Sequence, residues 1–153
     1  AGIVIPNMLF KLPARVNSSA VPWVTYTDPE LAHVGMREAD AKESDKTIRV
    51  LRWSFAENDR AQAERRTEGL IKVISEESGR ILVASIVGLH AGELIQPWIL
   101  AISQKMKIGT MAGIIAPYPT LAEVNKRIAG SFYTEKLFSE GAKKLARFLM
   151  WLS

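Results

Sequence analysis

The 153-residue sequence contains no cysteine, so disulfide frameworks, thiolate metal sites and cysteine nucleophiles are excluded within it. Histidine is nearly as scarce: His33 and His90 are the whole complement. They lie far apart with no third ligand type beside them, so both are read as structural residues and no metal site is predicted. No G-x-G-x-x-G segment occurs, which removes the dinucleotide-binding fingerprint. Long apolar runs are missing too. The richest stretches, 71–74, 81–89 and 95–102, are short and interrupted, well below the roughly 20 residues that cross a bilayer. The opening Ala1-Gly2-Ile3-Val4-Ile5-Pro6 has neither a Met nor the basic leader of a secretory signal. The chain is therefore expected to be a piece of a larger, cytoplasmic protein.

The body of the chain also lacks an excess of charge of either sign. Through Asn125 there are 14 basic and 14 acidic side chains, and beyond it six basic and two acidic. The net charge of +4 thus belongs to the tail, and no nucleic-acid partner is predicted for the domain body. Asn17-Ser18-Ser19 fits the glycosylation acceptor pattern, but without a secretory context its use is not expected.

What is present divides into short elements. Residues 1–10 have helical apolar spacing, apart from Pro6, before Lys11-Leu12-Pro13 stops them. Val21, Trp23, Val24, Thr25 and Tyr26 predict a strand over 21–26, and Thr27-Asp28-Pro29-Glu30 a turn. A charged surface helix is predicted over 37–44 and an alternating strand over 47–55, with Asn58-Asp59-Arg60-Ala61 opening a polar connection. Two apolar strands, 69–75 and 80–87, are joined through Glu76-Glu77-Ser78-Gly79, whose glycine accepts the positive φ of a hairpin turn. Residues 93–106 follow at helical spacing. Leu94, Ile95, Trp98, Ile99, Ile102 and Met106 fall on one face, which reads either as core or as a homodimer seam. Shorter helices are predicted over 110–116 and 121–128. The class is α+β: an antiparallel sheet of four to five strands covered by helices.

These motifs, in this order, resemble the dimerisation domain of the pyridine nucleotide-disulfide oxidoreductases, the flavoenzymes that include dihydrolipoamide dehydrogenase, glutathione reductase and mercuric reductase. Tyr26-Thr27-Asp28-Pro29-Glu30-Leu31-Ala32-His33-Val34-Gly35 is similar to the family's F-T-x-P-E-x-A-x-V-G strand and turn. Asn58-Asp59-Arg60-Ala61 matches its x-x-R-A segment, and Gly69-Leu70-Ile71-Lys72-Val73 its G-x-x-K strand. The run from Arg80 to Gly88 and then Ala91-Gly92-Glu93-Leu94-Ile95 resembles the strand and helix start that follow, with Val83 standing where the family commonly has Gly. The resemblance implies residues 1–19 as the tail of a preceding FAD domain plus linker, 20–130 as the dimerisation domain, and 131–153 as a basic amphipathic C-terminal helix. It also implies FAD and NAD(P)H in the full-length enzyme, bound by domains outside this chain, and a homodimer.

In that family a His-Pro-Thr-x-x-Glu loop reaches the flavin and redox disulfide of the other subunit, where a histidine held by a glutamate can carry a proton. Here the segment reads Pro117-Tyr118-Pro119-Thr120-Leu121-Ala122-Glu123. The resemblance places Tyr118 and Glu123 as the catalytic pair and Tyr118-Pro119, with a cis peptide bond, against the partner's flavin. A phenol of ordinary pKa near 10 donates a hydrogen bond well but accepts a proton poorly at neutral pH. The implied relative is therefore mercuric-reductase-like, although the carboxyl-terminal cysteine pair of those enzymes is missing.

The residues also admit plainer roles. Thr120 and Glu123 form the pattern of a helix capping box, and Arg60 and Lys72 read as ion-paired or solvated. In the tail over 140–152, Lys143, Lys144 and Arg147 lie among Leu145, Phe148, Leu149, Trp151 and Leu152, an arrangement that could rest peripherally on an anionic membrane. The alternative to the flavoenzyme reading is a stand-alone dimerisation or membrane-docking module without a redox role.

Overall fold

The computed structural model describes residues 2–13, 15, 20–43 and 47–152. Asn17-Ser18-Ser19 lies outside them. The chain opens with a helix, α1 (Val4–Phe10), that buries none of its residues. Then come β1 (Trp23–Thr25), β2 (Glu30–Gly35), α2 (Glu38–Glu43), β3 (Ile48–Ser54) and α3 (Asp59–Glu64). The hairpin β4 (Leu70–Glu76) and β5 (Ile81–Gly88) leads into α4 (Ala91–Leu94), α5 (Gln96–Ser103), α6 (Ile108–Ala112) and α7 (Glu123–Ser131). Two more helices close the chain, α8 (Thr134–Leu137) and α9 (Glu140–Leu152).

The five strands form one wholly antiparallel sheet in the order β1-β2-β5-β4-β3, in agreement with the α+β expectation. Gly79 turns the central hairpin at φ +86°, a region open to glycine at little cost. Side chains alternate across the sheet, and the two faces differ accordingly. Ala32, Val34, Leu51, Ile71, Val73, Ala84 and Ile86 point into the main core, against which α4, α5 and α7 pack. On the other face Ala41 of α2 covers Ile74, Leu82 and Val83 at one end. Among the described residues no element covers the remainder of that face.

Three local expectations need correction. The chain over Glu30–Gly35, predicted to begin as a turn, is a strand whose Ala32 and Val34 are buried between neighbours. The polar connection at Asn58 is in fact α3, started by the Asn58 side chain accepting from the Ala61 amide. The single helix predicted over 93–106 is two, because Pro97 in the first turn of α5 has no amide to continue α4.

The stripe running from α4 through α5 forms core within this chain, the first of its two readings. Trp98 is fully buried, and Leu94, Ile95 and Ile102 are nearly so. Ile99 and Met106 pack partly buried against them. Among the described residues no helix is long and apolar enough to cross a membrane. In α9 the Leu145, Leu149, Trp151 and Leu152 side chains lie outside the described set, so its proposed apolar face is defined only at Phe148 and Met150, both exposed.

Candidate functional site

The segment between α6 and α7 carries the predicted site. α7 is anchored from below: Trp98 donates its indole hydrogen to Oδ1 of Asn125 at 2.7 Å, and Asn125 donates its amide to the Leu94 carbonyl at 3.0 Å. Both bonds are buried, where a satisfied polar pair fixes geometry more strictly than at the surface. The base of the loop therefore cannot move independently of α4 and α5.

The loop itself is clamped by the start of α3. Asn58, 3% exposed, accepts from the Ala61 amide at 2.9 Å through Oδ1 and donates through Nδ2 to the Thr120 carbonyl at 3.1 Å. One side chain thus caps a helix and holds the loop. Its neighbour Asp59 accepts a hydrogen bond from the Tyr118 phenol at 3.0 Å. Thr120 donates its hydroxyl back to the Pro117 carbonyl at 2.7 Å. The Tyr118–Pro119 peptide is cis, as predicted, and so is Asp28–Pro29.

The predicted capping box is only half made. Glu123 accepts from the Thr120 amide at 3.5 Å, but the Thr120 hydroxyl is committed to Pro117, and the N-cap of α7 is Ala122, which offers no side-chain cap. Glu123 is nonetheless close enough to act on Tyr118. The hydrogen bond to Asp59, then the Asp59 charge, burial and the Glu123 charge raise the phenol's pKa above its ordinary value, against a smaller opposing effect of Arg127. Tyr118 is therefore held as a hydrogen-bond donor.

Despite this clamping the loop's apolar groups face outward. Tyr118 is 70% exposed and Ile115 95%, and Pro119 is exposed as well. Beside them Arg60, Glu64, His90, Leu94, Pro119 and Leu121 border an open groove of about 480 Å³ between α3 and α4. Arg60 is paired with Glu64.

The other predicted residues are elsewhere. His33 is half-buried on β2 and shares a 2.9 Å hydrogen bond with the Ser85 hydroxyl. Lys72 is paired with Glu38 at 2.6 Å. His90 is an exposed left-handed residue before α4. Among the described residues no group of three His, Cys, Asp or Glu is placed to hold a metal ion. Asn58, Asp59 and Asn125 were not predicted as site residues. An Asn directly before Asp-Arg-Ala is a helix-start signal, but nothing local points from it to Tyr118.

Comparison with known proteins adds four findings. Residues 21–129 match the family model described as pyridine nucleotide-disulphide oxidoreductase, dimerisation domain. Over 123 residues the chain is 40% identical to a dihydrolipoyl dehydrogenase of Haloferax volcanii, an alignment that takes in 80% of this chain and 26% of that protein. It is 35% identical over 133 residues to the leghemoglobin reductase of Glycine max, covering 86% of this chain and 25% of the relative. In three dimensions it superposes on the HOCl-induced flavoprotein disulfide reductase RclA of Escherichia coli, in a Cu(II) complex, with a TM-score of 0.79 at 24% identity, over 85% of this chain and 30% of that one. The chain spans about a quarter of the length of the curated relatives it matches.

Proposed function

The chain belongs to the pyridine nucleotide-disulphide oxidoreductase family, as its dimerisation domain, and from that membership we infer that it forms a homodimer and presents the Tyr118 loop to the flavin site of its partner subunit. The observation that carries this reading is the contrast at the loop. Its backbone is tied down by Asn58, Thr120 and α7, while Tyr118 and Ile115 stay exposed. Ordering a loop costs conformational entropy, and exposing its apolar groups recovers none of it within one chain. A second protomer would recover it.

FAD and NAD(P)H belong to the full-length protein in this reading, the flavin supplying hydride and electron chemistry. The residues present fit one edge of such a group and not its cradle: a phenol and a proline ring on an exposed loop, without a glycine-rich turn. Tyr118 has one hydroxyl hydrogen, given to Asp59 in the single chain, and would orient the acceptor molecule by transferring that hydrogen bond to it. Glu123 would help keep the phenol protonated, a task different from holding a histidine as a proton carrier. That difference favours an acceptor chemistry closer to mercuric reductases than to dithiol exchange, even though curated relatives bear the dihydrolipoyl dehydrogenase name.

The test is to prepare the protein with the domains that precede Ala1 in its gene, then record its visible spectrum and sedimentation. A flavin-coloured dimer whose spectrum shifts on Tyr118→Ala supports the reading. A colourless monomer, or a flavin spectrum indifferent to that substitution, contradicts it.

A further inference from the structure

The uncovered face of the sheet carries a second ordered constellation. Register pairs Trp23 with His33, His33 with Ser85, Ser85 with Lys72, and Lys72 with Arg52. These five side chains form one straight row across all five strands. Trp23 stacks on His33 with ring centroids 5.4 Å apart and planes at 30°, so one end of the row is a flat aromatic slab. The other end is cationic. Leu31, Leu70 and Val87 lie alongside, and together these residues border a concavity of about 440 Å³ that contains two cations and no carboxylate.

Sheet stability does not explain the row. Like charges directly opposite each other, as Arg52 and Lys72 are, destabilise a strand pair. Glu38 offsets Lys72 at 2.6 Å, but it is shared with Lys42 at 2.8 Å, and among the described residues no carboxylate pairs with Arg52. Two cations thus share one anion, with Arg52 standing opposite Lys72 on the next strand. Along the row Lys72 sits two interstrand spacings from His33, about 10 Å, and Arg52 three, about 14 Å, with Leu31, Leu70 and Val87 alongside.

We propose that this sheet face is a binding site for a planar ring joined to a phosphate or carboxylate, the ring lying against Trp23 and His33 and the anion meeting Arg52 and Lys72. Stacking supplies sequence-tolerant affinity for flat rings, while the guanidinium matches a phosphate or carboxylate in two-point geometry. His33 contributes as a neutral ring: burial and the neighbouring Lys72 lower its pKa, with a backbone contact at Gly35 opposing them. The site is on the face of the sheet opposite the helices that support the Tyr118 loop, and it stands independently of the function proposed above.

The test is a titration of the 153-residue chain, followed by two-dimensional amide and indole NMR, with AMP, whose ribose separates ring from phosphate, and with adenosine and inorganic phosphate as its halves. Saturable shifts at the Trp23 indole and the His33, Ser85 and Lys72 amides are expected with AMP. Adenosine and phosphate alone should bind at least about tenfold more weakly than AMP. Arg52→Gln, on an exposed position, should weaken AMP binding about tenfold, and Trp23→Leu gives a second variant should the first fail to fold. No saturation with AMP, or a response unchanged in both variants, overturns the proposal. So does a response that vanishes in a longer protein carrying the preceding domains, since the face would then be an intramolecular contact.

Discussion

The Tyr118 phenol and the Asp59 carboxylate, distant in sequence, are joined by a 3.0 Å hydrogen bond at the surface. The bond has a direct spectroscopic consequence, because a phenol that donates to a carboxylate resists ionisation. Asp59→Asn is expected to lower the Tyr118 pKa toward the ordinary value of about 10, read by ultraviolet titration with Tyr118→Phe identifying the transition. Since the folded pKa is raised, the contact is intact below the ordinary value and is lost as pH rises through the elevated one. An unchanged titration in Asp59→Asn would remove Asp59 as the controlling group.

Asn58 has two tasks, and removing its side chain should cost both. Asn58→Ala is expected to destabilise the chain by about 1–3 kcal/mol, from a lost helix cap and an unpaired Thr120 carbonyl. Asn58→Asp keeps the accepting oxygen and should recover part of that loss. Urea unfolding midpoints compare the three proteins, and an unaffected Asn58→Ala would mean that the clamp adds nothing.

The buried link under α7 gives a larger effect. Asn125→Ala strands the Trp98 indole hydrogen and the Leu94 carbonyl in the core, for an expected loss of about 2–4 kcal/mol by the same unfolding measurement. A loss no greater than that of an exposed alanine substitution would refute the link.

Glu38 provides an acid-side test. Hydrogen bonds from Lys42 and Lys72, with the Lys72 charge, hold its pKa down at about 2, below the ordinary glutamate value of 4.5. A depressed folded pKa contributes stability above the unfolded value that is lost as pH falls through the folded one, here between about 4.5 and 2. Because the pair is only part-buried and still reached by solvent, the contribution is discounted to at most about 1 kcal/mol. The stability of Glu38→Gln should therefore fall less steeply over that window than that of the parent chain. Identical slopes would show the ion pair to be inert.

Much of the fold was legible because local chemistry and final environment agree. The β4–β5 hairpin combines two apolar runs with a glycine able to take positive φ, and the α5 stripe becomes core as one of its two readings foresaw. Where local signals were weak, neighbours decided. Glu30–Gly35 is short, with a half-buried histidine in its centre, and becomes a strand through pairing on both sides with β1 and β5. The α3 helix is polar and brief, started by one asparagine. The Tyr118 loop was found through its resemblance to a family motif, but its clamp was not. A contact between residues 59 and 118 has no periodicity to reveal it, and Thr120, expected to cap a helix, turns its hydroxyl to Pro117 instead.

The most direct test of the partner-facing loop uses mixed dimers of the protein with its preceding domains attached. One subunit holds flavin but carries Tyr118→Phe, and the other retains Tyr118 but cannot hold flavin. The bound flavin is expected to show the spectrum of the unsubstituted dimer, because its phenol arrives from the other subunit. A spectrum matching the Tyr118→Phe homodimer would contradict this account.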